Sequence, residues 1–152
     1  MAIQIGDKLP SFKATRQDGT AFESASIHEK PMVIYFYPKD LTPGCTVESC
    51  NFRDNYSLLK EKGFEVIGVS ADDEKRHLKF IEKHELPFTL LADTEKEVIN
   101  AYGVWGLKKF MGKEYDGIHR ESFVIDENGA IEHVIHKVKT KLATEQILEL
   151  YS

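Results

Sequence analysis

The sequence predicts an α/β protein, a mixed β-sheet flanked on both faces by helices. Three observations lead there. Two short apolar runs, Met32-Val33-Ile34-Tyr35-Phe36-Tyr37 and Phe64–Ser70, have the length and the branched and aromatic content of buried strands. Between them lies a stretch long enough for a crossover helix, which makes the two strands parallel neighbours with the usual right-handed connection. Near the C-terminus two more apolar runs flank Glu127-Asn128-Gly129, the pattern of an antiparallel hairpin. At 152 residues the chain suits one domain over 1–152, with a core that needs no disulfide staples. It has no Pro/Ser-rich linker, low-complexity tract or internal repeat to divide it.

Taken in order, the opening residues hold two short candidate strands, about Phe12–Thr15 and Ala21–Phe22, around the turn signal Asp18-Gly19. The first buried strand leads into a helix from about Pro43 to Lys62, which Gly63 should end. Val47, Phe52, Tyr56 and Leu59 recur along it at near-helical spacing and are expected to face the core. After the second strand a helix runs from about Asp73 to His84, with Leu78 and Ile81 on its apolar side. Pro87 introduces a third strand, Phe88–Leu91, and Thr94-Glu95-Lys96-Glu97 offers a capping box for a short helix to Tyr102. Residues 103–117, rich in glycine and lysine, are expected to form a long loop. Within it Trp105 packs on the core, while Phe110, Met111 and Tyr115 either pack likewise or wall a pocket. Two strands, Arg120–Asp126 and Ala130–His136, and a last helix from about Lys141 to Tyr151 complete the chain. The order β-α-β-α-β-α-β-β-α fits a thioredoxin-like sandwich carrying an N-terminal extension and an inserted helix.

A net charge of −5 argues against nucleic-acid binding, which needs a basic face, and gives little attraction to anionic membranes. No apolar run approaches the roughly 18 residues of a spanning helix. The N-terminal residues lack the regions of a signal peptide. The expectation is a cytoplasmic protein in a reducing compartment, where two close cysteines serve catalysis or metal binding more often than structure.

The two cysteines are Cys45 and Cys50, in Thr42-Pro43-Gly44-Cys45-Thr46-Val47-Glu48-Ser49-Cys50. Thr42 suits an N-cap and Pro43 the first helical position, which puts Cys45 in the first turn. A sulfur there feels the positive end of the helix dipole and the free N–H groups of Gly44 and Cys45, which favour thiolate. Five residues along an ideal helix rise about 7.5 Å and turn about 140° beyond one revolution. Disulfide Cα atoms lie within about 7 Å, so the two sulfurs can join only if the helix start unwinds. That suits a transient redox switch better than a static staple, and it differs from the Cys-x-x-Cys of disulfide reductases. Zinc is not expected: the sulfur spacing is poor, and His133 and His136 fall on opposite faces of a strand. A redox sensor that exposes a partner surface is a rival reading. A cysteine hydrolase is another, although no histidine lies near Cys45 in sequence.

Pro38-x-x-x-Thr42-x-x-Cys45 resembles the active-site signature of the peroxiredoxins, and Thr42–Cys50 resembles the Q-type, or bacterioferritin comigratory, branch. Gly6-Asp7-Lys8-Leu9-Pro10-Ser11-Phe12, Gly68-Val69-Ser70 and Gly117–Asp126 resemble the same family in the same order, so the likeness spans nearly the whole chain. Val47 and Ser49 are mild departures. The resemblance implies a thiol peroxidase that needs no cofactor and acts on hydrogen peroxide and organic hydroperoxides. Cys45 would attack the O–O bond and become sulfenic acid. Thr42 would orient the peroxide, Pro38 would shield the site from water, and backbone N–H groups of Gly44 and Cys45 would hold its oxygens. Arg120 would supply the cation, although as a strand-start arginine it is unremarkable by itself. Cys50 would resolve the sulfenic acid as a Cys45–Cys50 disulfide, reset by thioredoxin or a glutaredoxin-like dithiol. Resolution within one chain makes a monomer the expectation. Glu48, one turn after Cys45, would have a supporting role at most.

Overall fold

In the computed structural model, which describes residues 3–23 and 30–151, the run Met32–Phe36 lies inside a seven-stranded sheet. The strands are β1 (Lys13–Arg16), β2 (Ala21–Glu23), β3 (Met32–Phe36), β4 (Glu65–Ser70), β5 (Thr89–Ala92), β6 (Trp105–Phe110), β7 (Lys113–Ile118), β8 (Glu121–Ile125) and β9 (Ile131–Ile135). The helices are α1 (Pro43–Asp54), α2 (Tyr56–Glu61), α3 (Glu74–His84), α4 (Glu97–Ala101) and α5 (Ala143–Glu149). Sheet order is β2-β1-β5-β4-β3-β8-β9, with β6 and β7 pairing apart from it. β3, β4 and β5 are parallel, as their crossover connections require. β1 joins β5 and β8 joins β3, both antiparallel.

Strand pleating divides β3 between two cores. Val33, Tyr35 and the following Tyr37 face Phe52 of α1, Leu59 of α2, Phe80 of α3 and Ile147 of α5. Met32, Ile34 and Phe36 face Val98 and Ile99 of α4, together with Phe12, Tyr102 and Phe123. With apolar neighbours on both sides, this strand carries the unbroken hydrophobic run expected of a covered parallel position.

Several local expectations give way. The single helix over 43–62 is two helices, because Asn55 leaves helical geometry at φ −111°, ψ 10°. Its side-chain amide donates to the Asn51 carbonyl at 2.8 Å and shares that acceptor with the Asn55 backbone N–H at 3.2 Å. Gly63, at φ 91°, follows the end of α2. The inward face of α1 is Cys45, Glu48, Ser49 and Phe52; Val47 is on the outside, and Tyr56 is only half-buried. On α3, Leu78 is exposed and His77 and Phe80 are buried. The capping box at Thr94 does not form. Instead Asp93, buried at the end of β5, accepts from the Ile99 N–H at 2.7 Å and caps α4 in its place.

The largest difference is at 103–117, where β6 and β7 form a regular hairpin instead of a loop. Met111 and Gly112 turn it, both at positive φ (51° and 80°), the geometry that suits a two-residue hairpin connection. Trp105 is part-exposed with Lys96 Nζ 5.0 Å from its ring centre, Met111 and Tyr115 are exposed, and the Phe110 side chain lies outside what the structure describes. Among the described residues no helix is long and apolar enough to cross a membrane.

Candidate active site

Register brings the site together. β8 runs antiparallel to β3 with Phe36 opposite Glu121, so Arg120, one residue before β8, stands beside the end of β3 where the chain turns toward α1. Upstream, the β6–β7 hairpin closes on this point, with the His119 N–H donating to the Val104 carbonyl at 2.7 Å. Arg120 therefore reaches the first turns of α1 from a fixed base.

Thr42 occupies the N-cap position, with Pro43 first in the helix. Its hydroxyl does not cap. It donates to the Lys39 carbonyl at 2.7 Å, which leaves the oxygen able to accept. The helix ladder begins with the Thr46 N–H on the Thr42 carbonyl, and the N–H groups of Gly44 and Cys45 precede it. Cys45 is 1% exposed, whereas Thr42, Pro43 and Gly44 around it reach solvent.

Arg120 bridges two residues one turn apart on α1. Its Nη2 donates to Cys45 Sγ at 3.3 Å, and its Nη1 donates to Glu48 Oε1 at 2.6 Å. A Cβ added to Gly44 would stand 3.3 Å from Nη2, so glycine there leaves room for the guanidinium. Glu48 is wholly buried, and its Oε2 has no protein partner among the described residues. Burial pushes its carboxyl up to about 7, against the pull of Arg120. Burial works to depress the Arg120 pKa, but the negative charges of Glu48 and Cys45 prevail and raise it. Lys108 of β6 adds a second cation. Its ammonium donates to the Ile118 carbonyl at 2.9 Å; burial and Arg120 lower its pKa, and Cys45 opposes them.

Cys50 is half-buried, and both cysteines are free thiols. Burial, then the Asp54 charge, pushes the Cys50 thiol up, with Arg53 opposing. Ser49 between them and the sheet shares a buried 2.8 Å hydrogen bond with the Tyr35 hydroxyl. Pro38 stands half-buried at the start of the loop leading to Thr42.

The structure thus gathers Cys45, Gly44, Thr42 and Arg120 at one point and sets Cys50 apart. Sequence reasoning undervalued Glu48, whose i, i+3 relation to Cys45 was the signal for it. It also missed Lys108, hidden in a segment read as loop. The side-chain hydrogen bond to Cys45 Sγ among the described residues comes from Arg120, not from a histidine. A cleft of about 600 Å³ bounded by Pro31, Phe64, Glu132, Leu148 and Tyr151 opens at the opposite end of β3 and β4, and its described lining holds no cysteine.

Residues 5–134 match the model of the AhpC/TSA family. The chain is 47% identical over 138 residues to Peroxiredoxin Bcp of Escherichia coli K12, covering 91% of this chain and 88% of that protein. It is 46% identical over 141 residues to Peroxiredoxin Bcp of Bacillus subtilis 168, covering 93% and 90%. A structure of the Xanthomonas campestris bacterioferritin comigratory protein, from work on its alkyl peroxide reduction activity, superposes with a TM-score of 0.85 at 30% identity. That alignment covers 91% of this chain and 88% of the other.

Proposed function

Because this chain belongs to the AhpC/TSA family and is a peroxiredoxin, a thiol peroxidase, we propose that Cys45 is its peroxidatic sulfur and Cys50 its resolving one. The observation that carries the reading is the Arg120 guanidinium, 3.3 Å from Cys45 Sγ and anchored at 2.6 Å by Glu48.

The Cys45 thiolate takes the distal oxygen of a hydroperoxide. The O–O bond breaks, and the departing oxygen collects a proton and leaves as water or an alcohol. Arg120 faces the charge that develops on that oxygen, and the N–H groups of Gly44 and Cys45 add oriented donors. Thr42, its own proton committed to Lys39, accepts from the hydroperoxide O–H. Pro38 limits water at the site. The Cys50 thiol then condenses with the sulfenic acid, forming an S–S bond and releasing water. Thioredoxin or a glutaredoxin-like dithiol returns two electrons and two protons. The pKa shift at Cys50 supports this division of labour, because burial in the folded helix disfavours its thiolate. Because both sulfurs belong to one chain, resolution needs no partner subunit, and the reading is of a monomeric, single-domain enzyme of the cytoplasm.

Intact-mass analysis and peptide mapping after one equivalent of hydrogen peroxide test the reading. The expected product is a single chain with Cys45 joined to Cys50. Cys45→Ser should abolish consumption of peroxide, and turnover retained by that variant excludes the assignment. Cys50→Ser should leave Cys45 oxidisable yet unable to cycle with thioredoxin and its reductase.

A further inference from the structure

A buried polar cluster outside the reacting groups bolts the loop between β3 and α1 onto α3. Every hydrogen-bonding group of Asp40 is engaged. Its Oδ1 accepts from the Tyr37 hydroxyl at 2.6 Å, and its Oδ2 meets His77 Nδ1 at 2.6 Å. Its N–H donates to Asp72 Oδ2 at 2.8 Å, and its carbonyl accepts from Arg76 Nη2 at 3.1 Å. The side chains of Asp40 and His77 have no exposed surface. His77 Nε2 lies 2.8 Å from the Leu91 carbonyl, which can only accept, so that nitrogen carries a proton. A further proton lies between Nδ1 and Oδ2, and the contact holds on whichever atom carries it. Asp40, Asp72 and His77 offer ligand-type atoms within 4.8 Å of one another, yet the contacts just described already occupy them, with Ser70 Oγ donating to Asp72 as well. This is a closed hydrogen-bonded cluster, not an open cation site.

Its position gives it consequence. Downstream, Asn51 ties α1 to the C-terminal segment: its Nδ2 donates to the Lys141 carbonyl at 2.9 Å, and its Oδ1 accepts from the Thr144 N–H at 2.8 Å. Between the Asp40 and Asn51 anchors run residues 41–50, which include both cysteines. Leu41, directly after Asp40, is held at φ 63°, a left-handed conformation that a bulky residue with a Cβ disfavours. A loop held in a costly conformation needs surroundings that enforce it, and the Asp40 cluster is adjacent.

We propose that Asp40 and His77 are positioning residues: their buried contact holds the 38–42 loop and the start of α1 in the peroxide-reactive arrangement and opposes the unwinding that brings Cys45 to Cys50. The proposal rests on the 45–50 disulfide reading. Loosening the bolt acts oppositely on two steps. Attack on peroxide slows, because Thr42 and the N–H groups of Gly44 and Cys45 lose alignment. Disulfide formation quickens, because the folded loop is the state it must leave.

Quenched-flow mass spectrometry resolves the two steps in one reaction. Asp40→Ala should lower the second-order rate with hydrogen peroxide about tenfold, the scale of a modest misalignment. It should also speed disulfide formation, so that less sulfinic acid accumulates at high peroxide. Asp40→Asn should behave like wild type, because its amide oxygen still accepts from Tyr37 and its NH₂ still donates to His77 Nδ1. Tyr37→Phe, which removes one bond of the cluster, should shift both rates in the same directions by less, and it serves if Asp40→Ala does not fold. Val98→Ala, on the opposite face of the sheet, should lower the melting temperature without changing the ratio of the two rates. An unchanged ratio in both Asp40→Ala and Tyr37→Phe overturns the proposal, as does the same change in Val98→Ala or an Asp40→Asn variant that behaves like Asp40→Ala. Failure of the wild-type chain to form the 45–50 bond overturns the underlying disulfide reading instead.

Discussion

Glu48 has a carboxyl with an ordinary value of 4.5 that burial pushes up to about 7, and the single bond to Arg120 only partly offsets that burial. The native state therefore holds the Glu48 proton more tightly than the unfolded chain does. The stability that this proton confers is fully present below about 4.5 and is lost as pH rises through about 7. Glu48→Gln should remove this dependence and shrink the difference in unfolding free energy between pH 5 and pH 8 by about 2 kcal/mol. Chemical denaturation at the two pH values measures it, and an unchanged difference would mean that Glu48 does not titrate in this range. Arg120→Met should slow the reaction with peroxide by about 100-fold or more, the size of effect seen when one donor to a developing oxyanion is lost. It should also destabilise the fold more at pH 8 than at pH 5, because the buried carboxylate loses its partner. Adding Glu48→Gln to Arg120→Met should restore stability and leave the rate low. Recovery of the rate as well would remove Arg120 from the chemistry.

Gly68 in β4 lies where a Cβ would stand 2.7 Å from Leu90 and 2.8 Å from the Tyr35 ring, inside a packed core. Gly68→Ala should therefore cost about 1–3 kcal/mol and, by displacing Tyr35, loosen the Ser49 hydroxyl bonded to it. Denaturant midpoints would show the loss, and a neutral change would mean that the core yields more readily than its geometry suggests. The sheet was legible because apolar runs such as Met32–Phe36 are buried on both faces and need no partner to be recognised. The hairpin of β6 and β7 was not legible: Met111-Gly112 lacks the Asn-Gly signal of a tight turn, and most of β7 is exposed and breaks the alternation of apolar residues. At the break, the side-chain amide and backbone N–H of Asn55 share the Asn51 carbonyl, a local arrangement that helical periodicity does not register. At the site, Cys45 was legible because a helix start and its N-cap position are local. The placement of Arg120 beside Cys45 needed strand register across 75 residues of chain, and only family resemblance pointed to it. Asp40 and His77 escaped notice for a related reason. A charged loop residue and a helical histidine acquire meaning only when the fold brings them to 2.6 Å.

Cys45 and Cys50 can join only if part of a packed molecule gives way while the rest stays intact, and the distribution of anchors says which part. The sheet between Val33 and Tyr37 is closed to solvent, and Phe52 and Leu59 are fully buried against it. Opening those contacts would approach global unfolding. Across residues 41–50 the holding contacts are the burial of Cys45, Glu48 and Ser49, the Thr42–Lys39 and Ser49–Tyr35 hydrogen bonds, the Arg120 contacts to Cys45 and Glu48, and helix bonds that begin only at Thr46. Val47 on the outer face is 39% exposed, so unwinding loses less burial there than at Phe52 or Leu59. On the proposed cycle oxidation itself would weaken the segment, because a neutral sulfenic acid at Cys45 would carry no charge for Arg120 to hold. Hydrogen–deuterium exchange on the disulfide form should therefore show lost protection for amides of about residues 46–50. Protection should persist in β3, β4 and β8 and in α1 beyond Asn51, where the bonds to Lys141 and Thr144 remain. If deprotection spreads to Phe52 and Leu59 or into β3, the switch is a rearrangement of the core and the Asn51 anchor does not bound it. If no amide in the segment changes, the two sulfurs meet by a route other than unwinding of α1.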